Sequence, residues 1–211
     1  MLTVHHLGIS QSERIVWLCE ELEMPYVLKR YDRDPQIRMA PAEYKALHPL
    51  GAAPVITDGD LVLSESGAII EYIIGKYGNG RLVVGPDASN YADYLFWYHF
   101  ANGTMMPDQL AGLMVNFVGE DNPMAQFMQQ RAERGWLLME DRLGKMPYLA
   151  GADFTAADII NLFALTTMRA FVPRDLANYP NLRAYLKRIG ERPAYRRAME
   201  KAEPGWTPML S

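Results

Sequence analysis

The sequence predicts an α/β domain in residues 1–80 and an all-α domain in residues 90–211, joined by a linker at 81–89. Three observations support this prediction. Hydrophobic residues in the first domain alternate between the period of strands and the period of helices. A stretch rich in Gly, Asn and Pro follows it. Beyond that stretch every hydrophobic pattern has the helical period, which indicates a bundle without a sheet.

Seven segments of the first domain each have the pattern of one element, in the order β-α-β-α-β-β-α. A strand–helix–strand unit implies a parallel pair of strands, and Asp58-Gly59 between two β-rich runs is a strong hairpin signal. We therefore expect a small mixed sheet flanked by helices. The segments are a strand at 2–7, a helix from Ser10 with Ile15, Leu18, Cys19 and Leu22 on one face, a strand at 25–31, a short helix within 40–50, two strands within 54–65 and a helix at 66–78.

The second domain contains five predicted helices, separated by segments with Gly and Pro. Its sharpest local signal is Thr155 followed by Asp158, the spacing of a capping box that fixes the first turn of a helix. We interpret this motif as structural and not catalytic. The predicted helices cover 90–118, 124–144, 155–171, 180–190 and 193–202.

The composition is typical of a soluble globular protein. The chain has 211 residues, 49% of them hydrophobic, and a net charge of −4. Because it has no basic block, we expect no nucleic-acid partner. Its single cysteine, Cys19, excludes an internal disulfide and a CxxC site for zinc or redox chemistry. The start lacks the pattern of a signal peptide, and no apolar run reaches the roughly 20 residues that a bilayer requires, so we expect a cytoplasmic protein without a membrane partner.

The stretch "HPLGAAPVI" at 48–56 places a proline at the start of a predicted strand. Proline has no N–H for a sheet and occurs at strand starts, edges or turns. We expect the Ala53–Pro54 bond to be cis, an arrangement that would turn nearby backbone groups outward. Those groups would then be available to a partner outside the chain.

The segment "ISQSER" lies between the first strand and the first helix, and its Ser10 allows two interpretations. Ser10 and Glu13 have the spacing of a capping box, which would make the hydroxyl structural. The same hydroxyl could donate to an anion, such as a thiolate, at the helix amino terminus. A catalytic triad is not expected, because no GxSxG surrounds Ser10 and no aspartate is placed to orient His5 or His6. We interpret both histidines as structural.

The segment "LSESGAII" places Glu65 and Ser66 at the start of another predicted helix. The simpler interpretation is that Ser66 caps this helix. The functional alternative is a ligand with both signs of charge, its carboxylate held by Ser66 and the helix amino terminus and its ammonium held by Glu65. An amino-acid head group has both charges.

The run "YADYLFWYHFANGTMM" at 91–106 is unusually aromatic. At helical spacing one face carries aromatic, apolar and amide side chains, and such faces usually pack in a core. The alternative is that this face lines a cleft, with Met105 and Met106 forming an adaptable apolar pocket. The residues of the face are Tyr91, Tyr94, Leu95, Tyr98 and Asn102.

Taken together, these motifs resemble a cytosolic glutathione transferase over essentially the whole chain. The resemblance combines the order of elements in the first domain with "HPLGAAPVI", "LSESGAIIEYI" and "FTAAD". The opening "HHLGISQSERIVWLCEELEMPYVLKRYDRD" is similar to a bacterial and fungal serine-type subgroup. The resemblance implies a thioredoxin-like amino-terminal domain followed by an all-α carboxyl-terminal domain.

The resemblance also implies how glutathione would bind. The backbone of Ala53, before Pro54, would pair with the cysteinyl part as an added strand does. Glu65 and Ser66 would hold the γ-glutamyl head group. In serine-type members a hydroxyl at the position of Ser10 donates to the thiol sulfur.

Several positions depart from the family pattern or leave alternatives. Gln11 and Ser12 are rivals of Ser10 for the contact with sulfur. Ala52 stands where many relatives carry a longer polar residue that holds the glycyl end, and His48 or Lys45 could take over that role. Leu7 and Gly8 lie near the position of the tyrosine of animal classes, and no cysteine occupies the catalytic position.

The function that the resemblance implies is attack by a glutathione thiolate on a small hydrophobic electrophile, without a metal. The electrophile would be held in an apolar cleft by Tyr98, Asn102 and Met105. One alternative is a glutathione-dependent peroxidase or disulfide reductase, and another is a non-catalytic binding module on the same fold. Relatives form homodimers, so we expect a second copy of this chain as partner, with His99 and Asn102 reaching towards the other copy's glutathione.

Overall fold

The structure is a computed structural model that describes residues 1–119 and 121–211, apart from the side chains of 113–118. It contains two compact units. The first consists of Met1–Leu82 with Glu191–Pro208, and the second of Val83–Gly190 with Met209–Ser211. The first unit therefore takes in a carboxyl-terminal segment that the sequence analysis places in the second domain.

The predicted order β-α-β-α-β-β-α of the first unit is confirmed. The sheet has the order β2-β1-β3-β4, with β1 parallel to β2 and antiparallel to β3. The hairpin between β3 and β4 turns at Gly59, whose φ of 61° suits a glycine. The elements are β1 (Leu2–Leu7), α1 (Glu13–Glu21), β2 (Val27–Tyr31), α2 (Ala42–Lys45), β3 (Val55–Asp58), β4 (Leu61–Ser64) and α3 (Ser66–Tyr77).

Strand β1 is the central element that positions the segment after it. It is paired on both edges, since His5 lies opposite Lys29 of β2 and Val55 of β3. At its carboxyl end Leu7 packs in a buried cluster with Tyr31, Tyr44 and Val55. The loop from β1 to α1 therefore starts from a fixed point in the core.

Helix α9 (Pro193–Ala202) packs on α1 within the first unit. The rings of Trp17 and Tyr195 meet edge to face, with centroids 5.1 Å apart. Arg192 donates two hydrogen bonds of 2.7 Å to the Glu21 carboxylate. The sequence predicts correctly that α9 is a helix. The apolar pattern of this helix does not indicate that its apolar face packs on α1.

The second unit contains only helical elements among its described residues. The predicted helix at 90–118 is divided into α4 (Tyr91–Phe100), a π-helical segment (Ala101–Met105) and α5 (Met106–Val118). Pro107 explains the division, because its ring collides with the carbonyl four residues earlier and it has no N–H to donate there. The wider π turn before it accommodates this. The remaining helices are α6 (Pro123–Lys145), α7 (Ala156–Leu165) with a 3₁₀ turn at Thr167–Ala170, and α8 (Pro180–Gly190).

The predicted capping box at the start of α7 is confirmed. The Thr155 N–H donates to Asp158 Oδ2 over 2.9 Å, and the Thr155 hydroxyl caps the helix in return. All ten residues of α7 are buried, so this cap fixes the central helix of the second unit. In the part of the chain that the structure describes, no helix combines the length and apolarity needed to cross a membrane.

Candidate functional site

The loop between β1 and α1 brings Ser10 and Ser12 together below the first turn of α1. The predicted capping box of Ser10 and Glu13 is wrong. The residue at the N-cap position is Ser12, and the Glu13 N–H donates to the backbone carbonyl of Ser10 over 3.1 Å. The Ser10 side chain is therefore not used as the helix cap that the spacing suggested.

The Ser10 hydroxyl sits in a short, directed network. Its Oγ donates to the Leu7 carbonyl over 2.6 Å and lies 2.7 Å from Ser12 Oγ. Ser10 is 5% exposed, whereas Ser12 is 0% exposed. Ser10 therefore keeps a small exposed area, whereas Ser12 has none.

Behind Ser12 the network continues to His6 and to Glu203, which follows α9. Ser12 Oγ lies 2.8 Å from His6 Nδ1, and His6 Nε2 lies 3.0 Å from Glu203 Oε1. A carboxylate only accepts hydrogen bonds, so Nε2 carries the proton and Nδ1 accepts from the Ser12 hydroxyl. The sequence shows no aspartate placed to orient His6, and it does not indicate this glutamate because 197 positions separate the two residues.

The neighbouring His5 differs from His6 in its surroundings. Its ring nitrogens lie 2.9 Å from the Tyr31 hydroxyl and 3.2 Å from Thr57 Oγ1, which are both groups of the sheet. Burial, followed by the nearby Lys29 charge, lowers the pKa of His5. Its contacts agree with a structural role.

The loop that carries Ser10 is held in an unusual conformation. Ile9 has a φ of 51°, a region that β-branched residues rarely adopt. Arg33 donates to the Gly8 carbonyl over 2.8 Å and to the Ile9 carbonyl over 3.1 Å, and the Ile9 N–H donates to Glu203. Strain that the surrounding structure enforces is typical of functional loops.

The predicted cis bond between Ala53 and Pro54 is present. It directly precedes β3, and Pro54 is buried while Ala53 is half-buried. The Pro54 carbonyl accepts from the Ser64 hydroxyl over 2.9 Å. Among the described residues we find no hydrogen bond to the backbone N–H or carbonyl of Ala53.

At the start of α3, the N-cap position is occupied by Glu65 and not by Ser66 as predicted. Glu65 is the N-cap residue, with a φ of 75° and an exposed side chain. Ser66 is the first helical residue, so capping by Ser66 is wrong, and its Oγ accepts from Arg14 Nη1 over 3.2 Å. The same nitrogen of Arg14 donates to Gln11 Oε1 over 2.6 Å. A buried guanidinium thus joins the start of α1 to the start of α3.

The loop before Ala53 carries the residues considered for a carboxylate at the glycyl end. His48 is half-buried, and its Nδ1 accepts from the Leu50 N–H over 3.3 Å. Lys45 and Ala52 are exposed. Lys45 therefore offers a solvent-exposed ammonium next to this loop, whereas the His48 ring already has a backbone partner.

The three residues predicted to hold an electrophile lie in the second unit. Tyr98 and Met105 are 4% and 1% exposed, and Asn102 is half-buried. Met105 lies against α6, since a Cβ added to Gly135 would be 3.4 Å from its sulfur. The second unit also contains a cavity of about 480 Å³. Its lining includes Asp108, Gln109, Gly112, Trp136, Pro173 and Arg174.

Cys19 is fully buried in α1. Burial, followed by the adjacent Glu20 charge, raises the pKa of its thiol well above the ordinary value. A buried, protonated thiol is a poor nucleophile. Thiol chemistry at this site would therefore need a sulfur from outside the chain.

Comparison with known families gives matches in both units. Residues 10–74 match the family described as Glutathione S-transferase, N-terminal domain. Residues 107–200 match the family described as Glutathione S-transferase, C-terminal domain. Glutathione S-transferase 3 of Schizosaccharomyces pombe is 30% identical, and the alignment covers 100% of this chain and 92% of that protein.

Solved structures agree with these matches. A glutathione S-transferase from Actinobacillus pleuropneumoniae has a TM-score of 0.89 and 35% identity, with 96% of this chain and 93% of that chain covered. A glutathione transferase family member from Pseudomonas fluorescens, solved with two glutathione bound, has a TM-score of 0.78 and 23% identity, covering 94% and 92% of the two chains. The second likeness concerns the fold alone.

Proposed function

Because this chain belongs to the glutathione S-transferase family, we propose that it binds glutathione in the first unit and ionises its thiol beside Ser10. The thiolate then attacks a small hydrophobic electrophile. The observation that carries this proposal is the Ser10 hydroxyl, which is at the surface end of a buried hydrogen-bonded network. The burial of Ser12 favours Ser10 as the residue that meets the sulfur.

The backbone at Ala53 supports the position of the tripeptide. An extended peptide gains affinity by pairing its main chain with unpaired backbone groups of a protein. Ala53 offers an N–H and a carbonyl without an internal partner among the described residues. The cysteinyl residue of glutathione would pair there.

The start of α3 supports the position of the γ-glutamyl group. Ser66, the helix amino terminus and the Arg14 guanidinium together favour a carboxylate. The exposed carboxylate of Glu65 lies next to them in the chain and would pair with the ammonium. An amino-acid head group meets both requirements.

The energy required for ionisation fits these contacts. A thiol with an ordinary pKa of about 8.5 is only a few per cent ionised at neutral pH, and each unit of depression corresponds to about 1.4 kcal/mol. Hydrogen bonds to charged groups contribute about 1.5–3 kcal/mol. One hydrogen bond from a hydroxyl to the sulfur, with the amino terminus of α1 nearby, therefore contributes enough free energy to lower the thiol pKa by one to two units.

The proposal is tested by calorimetry with glutathione, followed by turnover of chlorodinitrobenzene, an aryl halide. We expect binding at millimolar ligand or below, and formation of the aryl thioether. Absence of glutathione binding would contradict the proposal and favour a non-catalytic module on this fold.

The second candidate is a glutathione-dependent peroxidase or disulfide reductase. The same thiolate would attack an O–O or S–S bond, so the site in the first unit serves both reactions equally. Parallel turnover measurements with cumene hydroperoxide and with chlorodinitrobenzene separate the two. The residues proposed to hold the electrophile remain Tyr98, Asn102 and Met105.

The outer face of α4 supports the homodimer that the family implies. Phe96 is 51% exposed and Leu95 is 37% exposed. With His99 and Gly103 they line a shallow apolar depression of the second unit. Apolar surface of this kind marks contact sites. We expect light scattering coupled to size-exclusion chromatography to give the mass of two chains, and a Phe96→Glu variant to shift towards the monomer.

A further inference from the structure

His6 in β1 belongs to a hydrogen-bonded network that extends beyond Ser10, the one residue that the proposed thiol activation requires. Ser10, Ser12, His6 and Glu203 form one continuous series of hydrogen-bonding atoms, with successive separations of 2.7, 2.8 and 3.0 Å. Every member is at most 5% exposed. Water therefore does not reach the inner groups, and the outer end of the series is the serine proposed to meet the sulfur.

We propose that His6 is the internal base that takes up the thiol proton of bound glutathione, through Ser10 and Ser12. This inference rests on the proposed function. The order of groups is that of a hydrolase triad with one further hydroxyl between the base and the reacting atom. Glu203 acts as the third member, since its carboxylate accepts from His6 Nε2.

The proton balance is complete. Before transfer, the thiol carries its proton and the Ser12 hydroxyl donates to His6 Nδ1. The Ser10 hydroxyl, which donates to the Leu7 carbonyl in this structure, must first turn to donate to Ser12 Oγ, 2.7 Å away. Each proton then moves one position: from sulfur to Ser10, from Ser10 to Ser12, and from Ser12 to His6 Nδ1. After transfer, all three hydrogen bonds are reversed, and the Ser10 hydroxyl donates to a thiolate. The products are a thiolate and an imidazolium, with no net gain or loss of protons.

The charges around His6 suit this transfer. An imidazolium formed here would be a buried positive charge, and a buried charge needs a partner of opposite sign. The buried carboxylate of Glu203 lies 3.0 Å from His6 Nε2. The other charged groups near this chain are Arg30, whose Nη2 lies 3.9 Å from Glu203 Oε2, and Arg33, which interacts with Glu203 electrostatically. They offset part of the carboxylate charge.

Glu203 also accepts from the strained Ile9 backbone, so its substitution needs care. Glu203→Gln keeps one oxygen that can accept from both Ile9 and His6, while it removes the charge and turns the oxygen near Arg30 into an NH₂ group. His6→Asn keeps an acceptor near the position of Nδ1 but cannot become protonated. His5→Asn, in the same strand, is the matched control, because the His5 ring hydrogen-bonds to Tyr31 and Thr57 of the sheet and not to the Ser10 network.

The decisive measurement counts protons. Calorimetry of glutathione binding in buffers of different ionisation enthalpy gives the protons released per site, and the ultraviolet absorbance of the thiolate gives the fraction ionised. We expect the thiolate to form while almost no proton reaches the buffer, since the proton stays on His6. Binding of S-methylglutathione, which has no thiol proton, should likewise release almost no proton to the buffer. In His6→Asn, thiolate formation should either release one proton per thiolate to the buffer or shift to higher pH by at least one unit. Glu203→Gln should shift thiolate formation to higher pH by a similar amount.

Each result supports or overturns one claim. Release of one proton per thiolate in the wild-type chain, with glutathione bound and ionised, would overturn the role of His6 and leave the proposed function intact. An unchanged titration and proton count in both His6→Asn and Glu203→Gln would do the same. Failure of the wild-type chain to bind or ionise glutathione would overturn the proposed function, and the proton path with it. In ¹⁵N spectra of histidine-labelled protein, glutathione but not S-methylglutathione should convert one ring, that of His6, to imidazolium.

Discussion

Arg14 Nη1 lies 3.2 Å from Ser66 Oγ, although 52 positions separate the two residues in the chain. Arg14 is in the first helix and Ser66 opens the third, so this contact joins the two helix starts that surround the proposed glutathione site. Both residues are at most 2% exposed. Helix amino termini and a guanidinium are both groups that favour a carboxylate ligand.

Replacement of Ser66 by alanine should weaken glutathione binding. It removes a hydroxyl from the proposed carboxylate site and leaves Arg14 without this partner, so we expect about a tenfold higher dissociation constant, the size of one hydrogen bond to a charged group. Ser66→Thr keeps the hydroxyl and is the control. Calorimetry with S-methylglutathione measures binding without thiol ionisation. Equal affinities of the wild-type chain and Ser66→Ala would remove Ser66 from the site.

Replacement of Ser10 by alanine should raise the pKa of bound glutathione. The variant cannot donate to the thiolate, so we expect an upward shift of about one to two units, or about 1.4 kcal/mol per unit. Ser10→Thr retains a hydroxyl and should stay close to the wild-type chain. The thiolate absorbance of saturated protein, followed against pH, gives the value. An unchanged titration in Ser10→Ala would remove this residue from the catalytic role.

Replacement of Thr155 by alanine should destabilise the second unit without altering glutathione binding. The side chain caps α7, and the loss of such a cap costs about 1 kcal/mol. Thr155→Ser keeps the capping oxygen and should lose much less. Urea unfolding followed by circular dichroism measures both variants. A Thr155→Ala variant as stable as the wild-type chain would contradict the structural role assigned to the capping box.

We expect the free energy of unfolding to depend on pH through Asp58. Its carboxylate accepts from Lys76 at 2.7 Å and from the hydroxyls of Tyr72 and Tyr77, and these contacts, that of Lys76 first, hold the pKa of Asp58 below its ordinary value of 3.8. Because the pKa is lower in the folded chain than in the unfolded one, this stabilisation is complete above pH 3.8 and is lost as the pH falls below that value. Asp58→Asn should thus be less stable than the wild-type chain at neutral pH, with a difference that shrinks in acid.

The neighbouring Asp60 provides a matched control for this prediction, because it lies in the same turn and is exposed. Asp60→Asn should leave the pH dependence of urea unfolding unchanged. A stability difference between Asp58→Asn and the wild-type chain that stayed constant from neutral pH to pH 3 would show that the three donors do not act through the charge of Asp58.

The elements of both units could be predicted because their signals are local. The hydrophobic period indicated most of the strands and helices, and Asp58-Gly59 indicated the hairpin. Thr155 with Asp158 indicated a helix start that the structure confirms. The division of the helix at 90–118 was missed, although Pro107 carries the signal for it. The placement of α9 on α1 was missed because the packing partner of an amphipathic face depends on the whole fold.

The candidate site was predictable only in part. The resemblance indicated Ser10, Ala53, Glu65 and Ser66, and the structure shows the local contacts of the Ser10 and Ser66 side chains. The spacing rules for caps failed at Ser10 and Ser66, because Ser12 and Glu65 occupy the N-cap positions instead. The partners of these side chains come from distant parts of the chain, and a sequence pattern does not record contacts over such separations.

Glu203 is the clearest example of such a contact. Nothing in its surrounding sequence connects it with a histidine in the first strand, and only the packing of α9 on α1 brings the two together. The sequence predicts a structural role for His6, and the structure gives it a partner on each ring nitrogen.

The most direct test of the central claim is a crystal structure of this chain with glutathione. The account predicts the cysteinyl backbone paired with the N–H and carbonyl of Ala53, and the sulfur within hydrogen-bonding distance of Ser10 Oγ. A sulfur that lies beside the Gln11 side chain, or a tripeptide that leaves the Ala53 backbone uncovered, would contradict it.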